Sequence, residues 1–147
     1  MKDLDVKDWM TRRVITVDTR TSLPDAHKVF RTNNSSRLPV VERGKLVGIV
    51  TRSDIREASP SEATTLSIWE MHSQLSKLAV GVIMTKDPYT IAADATIKDA
   101  AKLMYAHKIG GLPVVNEGGE LQGIITESDI FRILIAWFDE QEGVPSE

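Results

Sequence analysis

The sequence predicts an α+β protein made of two β-α-β-β-α repeats packed about a pseudo-twofold axis, and three observations carry that expectation. The first is a stretch written twice. Leu46-Val47-Gly48-Ile49-Val50-Thr51-Arg52-Ser53-Asp54-Ile55 returns as Leu121-Gln122-Gly123-Ile124-Ile125-Thr126-Glu127-Ser128-Asp129-Ile130. The second is that the repetition runs outward from there. Val6 matches Val80, Met10-Thr11 matches Met84-Thr85, Thr16 matches Thr90, Asp25-Ala26 matches Asp99-Ala100, and Leu38-Pro39-Val40-Val41 recurs as Leu112-Pro113-Val114-Val115. The offset is 74, rising to 75 once Gly119 is inserted beside Gly118. Roughly twenty positions agree over about fifty, too many for chance in so short a chain. The third is size: a core as small as one repeat's seldom supplies more than about 3–5 kcal/mol. Two copies packed sheet face to sheet face remove that weakness.

The elements follow in order. Val14-Ile15-Thr16-Val17 predicts a strand. Ser22-Leu23-Pro24-Asp25 opens a helix, with Pro in the first turn where its missing N–H does no harm, and Leu23, Ala26 and Phe30 share one face, with Val29 beside them. Leu38–Val41 and Leu46–Val50 are two strands joined by a Gly-containing hairpin turn, Glu42-Arg43-Gly44-Lys45. Each of the duplicated β-branched runs stops at a Thr that serves as a helix N-cap, with the Asp three residues on in the first turn. A closing helix therefore starts near Ser53. The second repeat follows the same order, with Ile97, Ala100 and Met104 on the matching face. The organisation is a first repeat at 6–58, a linker with a helix at 59–79, a second repeat at 80–138 and a frayed tail at 139–147. The linker opens with the turn-rich Ala58-Ser59-Pro60-Ser61-Glu62-Ala63. Its helix carries Ile68, Met71, Leu75 and Leu78 as a stripe, with Ser67 and Glu70 as a cap. The last helix, Ile130 to Phe138, is apolar over more than one stripe, so the other repeat or a second chain should cover it.

Composition removes several classes of function. The chain has 147 residues, 41% hydrophobic and 27% charged, as in ordinary globular proteins. A net charge of −3 offers no basic face for nucleic acid. With no cysteine there are no disulfides, no thiol catalysis and no Cys-based zinc site, and a reducing compartment fits. The start, Met1-Lys2-Asp3-Leu4-Asp5, carries acids where a signal peptide needs bases and then an apolar core. Ile133–Phe138 is far short of the roughly 20 apolar residues that span a bilayer. The expectation is a cytoplasmic protein with no membrane partner. His27, His72 and His107 are not at ligand spacing, so no metal site is expected. Trp9, Trp69 and Trp137 suit core or interface packing better than base stacking.

The Thr-x-x-Asp pairs admit two readings. As caps they do no more than Ser22-x-x-Asp25 and Thr96-x-x-Asp99 do. As sites, they deliver a hydroxyl and a carboxylate to equivalent strand-to-helix junctions, where a helix N-terminus attracts anions.

With these residues in view, the chain resembles the cystathionine-β-synthase (CBS) domain family, from Val6 to Phe138. The resemblance is carried by Gly48-Ile49-Val50-Thr51-x-x-Asp54, Gly123-Ile124-Ile125-Thr126-x-x-Asp129, Arg37–Val41, Gly111–Val115 and the Met-Thr near the start of each repeat. It implies a tandem (Bateman) module that pairs with another into a flat disc, hence a homodimer, with clefts for AMP, ADP or ATP and sometimes S-adenosylmethionine. Such a nucleotide is a ligand; no cofactor is required and no residue is catalytic. By that resemblance Asp54 and Asp129 accept hydrogen bonds from a ribose diol, and Thr51 and Thr126 bind ribose or phosphate oxygens. Thr16 and Thr90 offer backbone groups to the base, while Ser35-Ser36-Arg37 and Ile109-Gly110-Gly111 line the sugar-phosphate side. One site would combine Thr11, Thr16, Ser36, Arg37, Thr126 and Asp129; the other Thr85, Thr90, Gly110, Thr51 and Asp54. Arg37 stands where the second repeat has Gly111, and Arg13 where it has Asp87, so the Arg37 cleft is expected to favour di- or triphosphates through bidentate hydrogen bonding. Arg37 as a solvated surface charge is the competing reading.

Three function classes remain in play. The first is a nucleotide-sensing regulatory module that signals through conformational change or an unknown downstream protein. The second is an enzyme, which the chain disfavours: it has no room for a catalytic barrel of about 250 residues and lacks a Walker-type loop or nucleophile elbow. The third is an assembly module that dimerises with empty clefts.

Overall fold

The computed structural model describes residues 4–59 and 77–143. Most of the expected linker helix (Ile68, Met71, Leu75, its cap at Ser67 and Glu70, and Trp69 and His72) lies outside the described residues, as does the tail beyond Gly143. The elements run α1 (Val6–Trp9), α2 (Leu23–Asn33), β1 (Arg37–Glu42), β2 (Lys45–Thr51), α3 (Arg52–Ala58), α4 (Val80–Ile83), β3 (Thr85–Lys86), α5 (Ile97–His107), β4 (Gly111–Val115), β5 (Leu121–Thr126) and α6 (Glu127–Glu142). They form two compact units. Unit 1 joins Met1–Val14 to Tyr89–Glu147, and unit 2 is Ile15–Pro88. Each sequence repeat thus gives its opening segment to the unit built mainly from the other repeat.

In unit 2, Ser22 caps α2: its Oγ accepts from the Asp25 N–H at 3.2 Å, meeting one of the donors a helix start leaves open. The expected face of Leu23, Ala26 and Phe30 is buried, and the helix stops at Asn34, which takes the left-handed φ of 49° that a short polar residue tolerates. The hairpin turns through Arg43 (φ 51°) and Gly44 (φ 80°), the two positive values a two-residue turn of this twist requires. β1 and β2 pair antiparallel from Arg37↔Thr51 to Glu42↔Lys45, with an irregularity between Val40 and Val41. β3 then adds to β2 through Gly48↔Lys86 and Ile49↔Thr85. The expected strand at Val14–Val17 contracts to a single parallel bridge between Val17 and Val40. Of those four residues only Val17 is buried, and only its backbone is held, by Pro39 O at 3.1 Å and the Val41 N–H at 2.8 Å. Val80, from the second repeat, completes this unit's core with Phe30, Leu38 and Val50.

Unit 1 repeats the plan. Thr96 caps α5 by accepting from the Asp99 N–H at 3.1 Å; Ile97, Ala100 and Met104 are buried, and Lys108 ends the helix in the left-handed region. β4 and β5 pair from Gly111↔Thr126 to Val115↔Leu121. Val6, from the first repeat, completes the core with Met104, Leu112 and Ile125. The last helix runs past Phe138 to Glu142, where Gly143 (φ 73°) caps it.

Candidate functional site

Each duplicated glycine decides what lies beside its strand. A Cβ on Gly123 would stand 2.6 Å from the Thr11 carbonyl oxygen and 2.9 Å from Met10 Sδ. A Cβ on Gly48 would stand 2.9 Å from the Thr85 carbonyl oxygen and run into Met84 Sδ. Without side chains there, Met10-Thr11 seats on β5 and Met84-Thr85 on β2. Thr11 and Ile124 exchange backbone hydrogen bonds at 2.9 and 3.0 Å, two residues before Thr126. Thr85 is the register partner of Ile49, two residues before Thr51.

The Thr-x-x-Asp groups form at both junctions, and they differ. In unit 2, Thr51 Oγ1 accepts from the Asp54 N–H at 3.1 Å and the Thr51 N–H donates to Asp54 Oδ2 at 2.8 Å. This is the reciprocal capping box that the Thr-to-Asp spacing allows. Arg37 faces Thr51 across the strand pair. Arg52 ties down the residues before it, donating from Nε to Ser35 O at 2.6 Å and from Nη2 to Phe30 O at 2.9 Å. Its guanidinium lies 5.7 Å from the centroid of the Phe30 ring.

In unit 1 Thr126 and Asp129 form the capping box as well, and there the Thr126 hydroxyl joins the Thr126 N–H in donating to Asp129 Oδ2, at 3.2 and 2.8 Å. Arg132 Nη2 reaches Asp129 Oδ1 at 2.8 Å and the Trp9 carbonyl at 3.2 Å, with its guanidinium 5.6 Å from the Trp9 ring centroid. Among the described residues Asp129 is the one buried charged residue, 6% exposed. The Glu127 N–H donates to Gly110 O at 3.0 Å, which holds Gly110 at the start of α6.

Thr11, Thr90, Gly110, Thr126 and Asp129 therefore lie in unit 1, and Thr16, Ser36, Arg37, Thr51, Asp54 and Thr85 in unit 2. Within the units, Thr11 stands with Thr126 and Asp129, and Thr85, Ser36 and Arg37 with Thr51 and Asp54. Thr90 adjoins Ile91, whose N–H donates to Pro113 O at 3.1 Å. Tyr89, next to it, stacks on His107 at 3.8 Å between ring centroids. Thr16 lines a cavity of about 850 Å³ with Thr19, Glu42 and Arg43. There Glu42 accepts from the Thr19 hydroxyl and from the Thr19 N–H at 2.9 Å, and those bonds, the hydroxyl first, hold its carboxyl below the usual carboxylate range.

Arg132 and Arg52 add contacts that lie outside the Thr-x-x-Asp motif. Arg132 was findable as an opposite charge three residues beyond Asp129 on one helix. Arg52 was not, because its partners are carbonyls distant in sequence. Among the described residues no group of three or more His, Asp or Glu side chains could hold a metal ion, and no helix is long and apolar enough to cross a membrane.

Comparison with known proteins bears on this geometry. The CBS domain profile matches residues 6–61 and 80–136. An inosine-5'-monophosphate dehydrogenase of Korarchaeum cryptofilum is 39% identical over 125 residues, which are 85% of this chain and 23% of that enzyme. The chain thus spans under a quarter of that relative. Among solved structures, CBSX2 of Arabidopsis thaliana in complex with AMP is similar at a TM-score of 0.77 and 31% identity, over 91% of this chain and 98% of that one. The CBS domain pair of protein MJ0100 in complex with 5'-methylthioadenosine and S-adenosyl-L-methionine is similar at 0.74 and 31% identity, over 90% and 96%.

Proposed function

The chain belongs to the CBS-domain family and carries two such domains in tandem, and from that premise we propose that it is a regulatory module that binds adenosine nucleotides. AMP, ADP and ATP are the ligands of this reading, with S-adenosylmethionine as a further adenosine compound. Occupancy is reported through a change of shape or of affinity for a downstream protein, which requires two states of different ligand affinity. A cysteine-free chain makes the reducing cytoplasm the compartment of this proposal.

The observation that carries the reading is the pair of Thr-x-x-Asp junctions, each held by its own backbone and set beside a Met-Thr segment. Asp54 and Asp129 are the candidate acceptors for a ribose diol, and a hydrogen bond to a charged acceptor contributes about 1.5–3 kcal/mol. Thr51 and Thr126 bind ribose or phosphate oxygens. Thr16 and Thr90 offer backbone groups to the base, Thr11 and Thr85 complete the candidate residues beside the two Thr-x-x-Asp junctions, and Ser36, Arg37 and Gly110 line the sugar-phosphate side. The similar CBS pairs in complex with AMP, or with 5'-methylthioadenosine and S-adenosyl-L-methionine, support an adenosine compound as the class of ligand.

Thermal melting against a panel of purine nucleotides and S-adenosylmethionine tests it. Ligand at a hundred times its dissociation constant adds about 2.7 kcal/mol, a shift of several degrees for a chain of this size. The Asp54→Ala/Asp129→Ala double variant should lose that shift. For Arg37, the expectation is weaker ATP binding in Arg37→Ala with AMP binding little changed; equal ATP affinity of variant and parent removes the claim.

A second reading, a ligand-free dimerisation or assembly module, is favoured by one observation. Tyr105 is 90% exposed and Phe131 59%, and Leu134, Ile135, Trp137 and Phe138 are exposed on the same unit. Tyr105 and Phe131 line a cavity of about 680 Å³ with Met104, Ile109, Gly110 and Ile130. A second copy of the chain covers this surface in our proposal. No melting shift with any adenosine compound leaves the assembly reading in possession.

A further inference from the structure

The duplication supplies an internal control for the two aspartates. Three residues beyond Asp129 stands Arg132, and three residues beyond Asp54 stands Glu57. We infer that Arg132 is a specificity-determining residue: it occupies the Asp129 carboxylate and closes the second Thr-x-x-Asp group to a sugar diol, leaving the Thr51–Asp54 group as the primary diol acceptor. The inference rests on the nucleotide reading above.

Hydrogen-bond capacity separates the two aspartates. A carboxylate offers about four lone-pair positions. Asp129 commits three: the Thr126 N–H at 2.8 Å and hydroxyl at 3.2 Å on Oδ2, and Arg132 at 2.8 Å on Oδ1. A cis-diol brings two O–H donors, so seating it on Asp129 means displacing a charge-assisted bond, the strongest kind in the group. Nor does Arg132 swing away at no cost, since the same Nη2 also donates to the Trp9 carbonyl at 3.2 Å and the guanidinium lies against the Trp9 ring.

Asp54 is different on each count. Among the described residues its carboxylate takes only the Thr51 N–H, on Oδ2, while the Thr51 hydroxyl accepts from the Asp54 N–H. Glu57 is exposed and carries the wrong charge to pair with it. Both hydroxyls of a diol find open positions there.

Titration calorimetry of the full chain with AMP and 2'-deoxy-AMP, on the parent and on the Arg132→Gln and Glu57→Arg variants, decides it. The parent should show one tight class of site that discriminates against 2'-deoxy-AMP, and a weaker class that does not. Arg132→Gln should tighten the weaker class and make it diol-dependent, on the order of tenfold for one charge-assisted hydrogen bond regained. Glu57→Arg, at an exposed position that leaves the core untouched, should weaken the tight class by a similar factor. A purely structural Arg132 lowers the melting temperature of Arg132→Gln and leaves the ratio of the two classes unchanged, which overturns the inference. Unchanged binding in Glu57→Arg overturns it as well, while the nucleotide reading stands. Absence of binding by AMP and ATP to the parent overturns both.

Discussion

The two units share a plan and keep different surfaces. Where unit 1 exposes Tyr105 on α5 and Phe131 on α6, the matching positions of unit 2 are Arg31 and Arg56. Inside, the pairs are conservative: Leu23 with Ile97, Ala26 with Ala100, Val50 with Ile125, all buried. An arginine packs on an aromatic ring in both, but from different places. Arg52 holds the residues that lead into β1, whereas Arg132 holds the segment that leads into Thr11. Burial left the cores little freedom to diverge, and exposed positions diverged in charge and hydrophobicity. The units therefore differ in the surface they present.

The largest expected effects lie at the paired glycines. Gly123→Ala should destabilise by about 1–3 kcal/mol, the usual cost of overpacking, because the new methyl meets the Thr11 carbonyl oxygen, a backbone atom, at 2.6 Å. Gly48→Ala should cost less, since its tightest encounter is with the flexible end of Met84. Urea denaturation of the two variants checks the order; equal costs would show that the two opening segments are held with the same tightness.

Next comes the apolar surface of unit 1. Phe131→Glu should abolish or strongly weaken self-association in sedimentation velocity, while Arg56→Glu, at the matched position, should leave it unchanged. If both variants dissociate alike, association does not use unit 1 alone.

The smallest effect concerns Glu42. Its carboxyl is held below the usual range, first by the Thr19 hydroxyl and then by the Thr19 N–H. A carboxyl lowered in the folded state adds stability above its ordinary value near 4.5, and that part is lost as pH falls through the lower folded value. Glu42→Gln should therefore be less stable than the parent near neutrality, with the gap closing in acid melts. The parent's advantage should not grow below pH 4.

Local features were legible in the residues. The faces of α2 and α5, their Ser22 and Thr96 caps, the Arg43-Gly44 turn and the Thr51 capping box all follow from spacing within a few positions. What stayed hidden is non-local. Nothing within Met10-Thr11 says that it pairs with Ile124, and nothing within Met84-Thr85 says that it pairs with Ile49. The repeat read along the chain places each of these segments with its own copy, while the compact units place it with the other; only the family resemblance, by grouping Thr11 with Thr126 and Asp129 and Thr85 with Thr51 and Asp54, implied that exchange. The Val14–Val17 run has strand composition, yet one bridge partner at Val40 leaves it a single paired residue. In the candidate site the aspartates and threonines were readable as a motif. The i,i+3 pairing of Asp129 with Arg132 was within reach of the same spacing rule, but the Trp9 carbonyl that also holds Arg132 was not, because it lies 123 residues away in the chain.

Calorimetric titration of AMP into the parent protein and into Asp54→Ala tests the central claim most directly. The account expects saturable binding to the parent, and an affinity lower by on the order of tenfold or more in the variant, the loss that goes with a hydrogen-bonded charged acceptor. Saturable binding of equal strength in both, or no saturable binding of AMP to the parent, would contradict it.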